Sequence, residues 1–70
     1  MGIVNVALAY FNRAFCRIQL DMTVNPPIKS DTTKKQLILA DLAMAAKDEC
    51  VEEIIEKNKE VKDWKALNLP

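Results

Sequence analysis

Apolar and polar positions divide the chain into two segments of different character, with one loop between them. The second segment has the plainer pattern. From Lys34 to about Asn58 it lacks glycine and proline and is rich in Ala, Leu, Glu and Lys, all strong helix formers. Leu37, Ala40, Met44, Val51 and Ile54 recur at three- and four-residue spacings, with Leu39, Ala43, Cys50 and Ile55 beside them. Asp41, Asp48, Glu49, Glu52, Glu53 and Glu56 fall on the opposite arc, so the pattern predicts one long amphipathic helix over residues 32–60, followed by a tail at 61–70. Asn25-Pro26-Pro27 marks the loop, assigned to residues 25–31, because proline lacks an amide donor and drives the preceding residue out of the helical region. Thr33 with Gln36 makes a capping-box pattern at the helix start, and Ser30, Asp31 and Thr32 are alternative caps.

The first segment, residues 1–24, supports two readings. As a helix, Val4, Leu8, Phe11, Phe15, Ile18 and Met22 form an unbroken 4-3-4-3-4 stripe. As a hairpin, Val4, Val6, Leu8 and Tyr10 alternate with smaller or polar residues, and Ile18, Leu20, Met22 and Val24 alternate with Arg17, Gln19, Asp21 and Thr23. Strands also account for Val6, Cys16, Leu20 and Val24, which the helical stripe leaves outside, and the β-branched and aromatic content favours sheet. Against strands, Phe11-Asn12-Arg13-Ala14 is a mediocre turn. The leading expectation is therefore an α+β fold, a β-hairpin followed by one long α-helix (ββα), completed by dimerisation. The alternative is all-α, a helical hairpin pairing into a dimeric four-helix bundle.

Size turns the pattern toward self-association. Seventy residues make one small domain, which buries only about 60% of its unfolded surface. Within the helix, Leu37–Ala46 is apolar nearly all round, interrupted only by Asp41, and so short a chain has little to cover it with. Leu37, Ile38, Leu42, Met44, Val51, Ile55 and Trp64 are accordingly the candidate protein-interface residues. Trp64 lies in the tail, where it either docks on a partner's groove or folds back onto the core.

Composition mainly removes possibilities. There is no histidine, which takes away the commonest general base near neutral pH, the Ser-His-Asp and Cys-His triads and the zinc finger. A single glycine, Gly2, excludes a glycine-rich phosphate loop. Cys16 and Cys50 are too few and too far apart for a metal knuckle, and their apolar-periodic settings suggest buried free thiols. No basic n-region or apolar span of about 20 residues is present, so the expectation is a cytoplasmic protein without a membrane segment. The acidic run from Asp48 to Glu56 reads as a solvated helix face, with Glu53 and Lys57 an i,i+4 pair.

Ten basic residues balance ten acidic ones, which gives no overall pull toward a polyanion. The balance is uneven, at +2 over residues 1–30 and −2 over residues 31–70. On a hairpin, Arg17 and Gln19 share an exposed ribbon face, with Arg13 at the turn and Lys34 and Lys35 at the helix start. These five are the candidate nucleic-acid contacts. The function expected first is a small non-enzymatic interaction protein (accessory, adaptor or inhibitor) acting as a homodimer, with another protein as partner. A nucleic-acid-binding regulator using the basic ribbon is the second reading. No catalytic residue, cofactor, metal or small-molecule substrate is expected.

Overall fold

A computed structural model describes the backbone of residues 3–70 and the side-chain surroundings of residues 5–70. Four helices follow one another: α1 (Ile3–Met22), α2 (Thr32–Ala45), α3 (Glu49–Lys57) and α4 (Lys59–Asn68). No strand occurs among the described residues, so the ββα expectation is overturned; the all-α class of the alternative fits, with four helices in place of a two-helix hairpin. The reason is visible in α1. Its 4-3 spacing puts Phe11 and Ile18 in the core with Leu8, Phe15 and Met22 half-buried, and a continuous helix satisfies a backbone that a lone hairpin would leave open at both edges. The residues that only strands would have turned inward are outside: Val6, Leu20 and Val24 are exposed, Leu20 at 68%. Val4 lies outside the side chains described.

The helix expected over 32–60 is three helices, and the tail expected at 61–70 falls largely in α4. Two polar side chains make the breaks without glycine or proline. Asp48 turns extended and its Oδ1 accepts from the amides of Cys50 (2.9 Å) and Val51 (3.2 Å), which caps α3. Asn58 ends α3 and begins α4 at once, its amide donating to the Ile55 carbonyl and its Oδ1 accepting from the Val61 amide at 3.0 Å. Glu49, Glu52 and Glu60 lie in the first turns, and Lys57 and Lys65 in the last, as the helix dipole prefers. Of the four caps available to α2, the chain uses Asp31, which accepts from the Lys34 amide at 2.8 Å; the Thr33–Gln36 pair lies inside the helix.

The core follows from these phases. Ala7, Phe11, Ala14 and Ile18 of α1 meet Ile38, Leu42 and Ala45 of α2, Val51 and Ile55 of α3, and Val61 and Trp64 of α4. The expected stripe of the second segment is thus displaced by one flank: Val51 is buried, but Leu37, Ala40, Met44 and Ile54 are exposed. Ion pairs between Arg13 and Asp41 and between Asp21 and Lys34 show that α1 and α2 run antiparallel. The Glu53–Lys57 pair forms at 2.6 Å on the exposed side of α3. Cys16 and Cys50 are free thiols but are exposed, not buried as their settings suggested.

A polar latch ties the proline loop to the last helix. Trp64, fully buried, donates its indole N–H to Ser30 Oγ at 3.0 Å, and Ser30 Oγ donates in turn to Asp21. The Ser30 amide donates to Asn68 Oδ1 at 2.8 Å, and Lys34 Nζ donates to Asp21 at 2.9 Å. Trp64 therefore folds back onto its own chain. Burial alone would raise the Asp21 carboxyl, but the hydrogen bonds from Lys34 and Ser30 with the Lys34 charge leave it below the usual carboxylate range.

Candidate interaction surface

A second polar cluster, open to solvent on one side, lies where α1 and α2 meet. Asp41 is the one acidic residue between Leu37 and Ala46, and at 5% exposure it is the one charged side chain among the buried residues described. Burial of a carboxylate demands partners. Arg13 grips it with two bonds, Nη2 to Oδ1 at 2.7 Å and Nε to Oδ2 at 2.8 Å, and Arg17 Nη1 reaches Oδ2 at 2.8 Å. Hydrogen bonds from Arg13 hold the Asp41 carboxyl below its ordinary range; burial opposes them, and the charges of both arginines add to them. Asp41 in turn raises the Arg13 guanidinium, first by that hydrogen bonding and then by its charge.

Two arginines on one carboxylate leave a net charge of +1 at this place. The surplus is presented outward, since the Arg13 side chain is 57% exposed and that of Arg17 30%. The guanidinium of Arg13 also lies over the Tyr10 ring, 5.6 Å from its centroid. Held by a bidentate pair and an aromatic face, Arg13 is fixed in a way that free surface arginines are not.

Apolar side chains flank this centre on both helices. Along α1, Val6, Tyr10, Arg13, Arg17 and Leu20 are spaced 4-3-4-3, and Val24 follows four residues on, just past the helix end. Along α2, Leu37 and Met44 stand one turn before and one turn after Asp41. Val6, Leu20, Val24, Leu37 and Met44 are all exposed. A shallow groove lined by Asn5, Val6, Ala9, Tyr10 and Arg13 opens at one end of this edge. A single exposed aliphatic residue is ordinary, but four on the two helices around a fixed charge, Val6, Leu20, Leu37 and Met44, are not scattered.

The seven interface candidates separate under this geometry. Ile38, Leu42, Val51, Ile55 and Trp64 are buried in the chain's own core, whereas Leu37 and Met44 remain exposed on the edge. The five nucleic-acid candidates are not assembled on a ribbon. Arg13 and Arg17 are engaged by Asp41, Lys34 by Asp21, and Gln19 and Lys35 are half-buried on separate helices. The helical reading of the first segment leaves Val6 and Leu20 outside, as found, but the pattern names neither them nor half-buried Tyr10 as site residues, and it misses Asp41 as the centre. The signal for Asp41 was available: a lone acid inside an apolar run needs a cation, and the first segment supplies two arginines four residues apart.

Among the described residues, no three acidic, cysteine or histidine side chains are grouped as a metal ion would require, and no helix is long and apolar enough to cross a membrane. The chain matches no protein-family model, no curated protein and no solved structure.

Proposed function

We propose that the chain is a small non-enzymatic protein–protein interaction module, an accessory, adaptor or inhibitor protein, whose docking surface is the edge shared by α1 and α2. The observation that carries this reading is the row of exposed aliphatic side chains, Val6, Leu20, Leu37 and Met44, around the Arg13–Asp41–Arg17 cluster. A non-enzymatic role is supported by the state of that cluster. Both Asp41 oxygens are occupied and its carboxyl is held ionised, so it is poorly suited to exchange a proton near neutral pH. Exposed free thiols at Cys16 and Cys50 fit a reducing compartment, and the cytoplasm is the location proposed.

A homodimer is the second reading. Its basis has narrowed, because the chain itself covers Ile38, Leu42 and Ala45 and leaves only part of Leu37–Ala46 to a partner. The apolar ends of the α1–α2 edge still offer a second copy a surface to pack on.

Site-specific photo-crosslinking tests the module. A benzophenone side chain at Leu20 or Leu37, and one at exposed Lys62 of α4 as control, is introduced in the protein's native cells. The edge positions are expected to give one discrete adduct that Lys62 does not give. An adduct at twice the chain mass identifies the homodimer, and the same adducts from all three positions contradict the assigned surface.

A further inference from the structure

From the charge and register of the α1–α2 edge, we infer that its occupant is an acidic amphipathic helix of another protein, which sets a carboxylate on Arg13 and Arg17 and aliphatic side chains on the apolar patches at either end. This deepens the proposed function and rests on it. The centre of the edge carries two guanidiniums against one carboxylate. Asp41 uses Arg13 Nε and Nη2 and Arg17 Nη1, which leaves Arg13 Nη1 and the Nε and Nη2 of Arg17 free to donate. A carboxylate from outside would complete an alternating array of two cations and two anions. Because Arg13 is already fixed by Asp41 and by the Tyr10 ring, little side-chain freedom is lost when it binds.

The same charge argues against a second copy as the occupant. Two copies of this edge packed with the two-fold axis at the Arg13–Asp41 centre would bring one net positive centre against another. An acidic ligand is drawn to the surplus instead. Register sets the ligand's length. Val6 and Leu20 lie seven residues to either side of Arg13, roughly 10 Å each way at 1.5 Å per helical residue. Leu37 and Met44, on the antiparallel neighbour, bracket Asp41 at closer range. A helix of about 14–17 residues, with aliphatic residues near both ends of one face and an Asp or Glu midway, spans the edge.

The probe is a capped helical peptide of about 17 residues, leucine near each end of one face and a single central glutamate, compared with the same peptide carrying glutamine there. Binding to the full chain is read by fluorescence anisotropy of a dye on the peptide, up to about 1 mM protein. The glutamate peptide is expected to bind at least about fivefold tighter than the glutamine peptide, with a preference that shrinks as salt rises. Arg13→Gln, with its fold checked by circular dichroism, is expected to abolish that preference. Leu20→Ser with Leu37→Ser is expected to weaken both peptides. The glutamate–glutamine comparison leaves the protein untouched, so it decides the matter even if Arg13→Gln does not fold. Equal binding of the two peptides, no binding of either, or self-association of the chain that displaces the peptide would overturn the inference. A discrete crosslink at Leu20 and Leu37 alongside equal peptide binding would retain the docking surface and reject only the acidic helix.

Discussion

Ser30→Ala tests whether the latch between the proline loop and α4 holds the fold together. The buried indole of Trp64 has Ser30 Oγ as its acceptor at 3.0 Å, and the same hydroxyl donates to Asp21. Alanine leaves the Ser30 backbone bond to Asn68 in place but orphans the indole N–H, which costs about 1–3 kcal/mol when a buried donor loses its partner. Asp21 keeps Lys34, so the loss there is smaller and the combined effect is about 2 kcal/mol. A domain of this size has a total stability of roughly 3.5–10 kcal/mol, so Ser30→Ala remains folded and melts about 8–16 °C lower. Trp64→Ala, at about 3–5 kcal/mol, leaves a large unfolded population. Trp64 is the only tryptophan, so urea unfolding followed by its fluorescence and by far-ultraviolet circular dichroism reads the site and the whole chain together. Coincident transitions shifted by about 2 kcal/mol are expected. A Ser30→Ala protein within about 0.5 kcal/mol of the parent would refute the latch.

Asp41 and Asp21 both titrate below the ordinary carboxylate range, so the folded state holds these protons less tightly than the unfolded chain does. Their contribution is complete well above the unfolded pKa, so stability is expected to be level from neutral pH down to about pH 5 and to fall progressively below it; Asp41→Asn lowers the plateau and flattens the acid limb, as urea midpoints across pH will show. Asp48→Ala removes the cap of α3 and costs about 1 kcal/mol by thermal unfolding, whereas the neighbouring Lys47→Ala has little effect. Cys16 and Cys50 both react with a thiol reagent in the native protein without denaturant; protection of either contradicts its exposed placement.

Only part of the fold was legible in the sequence: the leading hairpin reading of the first segment and the single helix over 32–60 both failed, for physical causes. The stripe of α1 is realised from Leu8 to Met22, and the helix stops ahead of Asn25-Pro26-Pro27. What drew the hairpin reading was the need to place Val6, Cys16, Leu20 and Val24, which a helix leaves in solvent. Local pattern and fold disagreed at those positions, and two of the four, Val6 and Leu20, border the candidate surface with their aliphatic side chains. Such conflicts gather where a chain does something besides fold. The division of residues 32–60 was harder to see, because Asp48 and Asn58 interrupt no hydrophobic period and break the helix only through their side-chain oxygens. Once those breaks shift the helical phase, Ile55 points inward and Ile54 outward. The helical wheel of the second segment puts Asp41 on the solvated arc, because the wheel of one segment says nothing about arginines arriving from another.

Hydroxyl-radical footprinting shows whether a protein covers the α1–α2 edge in the cell. Labelling of Val6, Leu20, Leu37 and Met44 is compared between the pure dilute chain and the chain in its native cells, with exposed Ile54 of α3 as the internal reference. Severalfold lower labelling of the four edge residues in cells, with no change at Ile54, is the expected result. Equal labelling of the edge in both settings would contradict the docking surface.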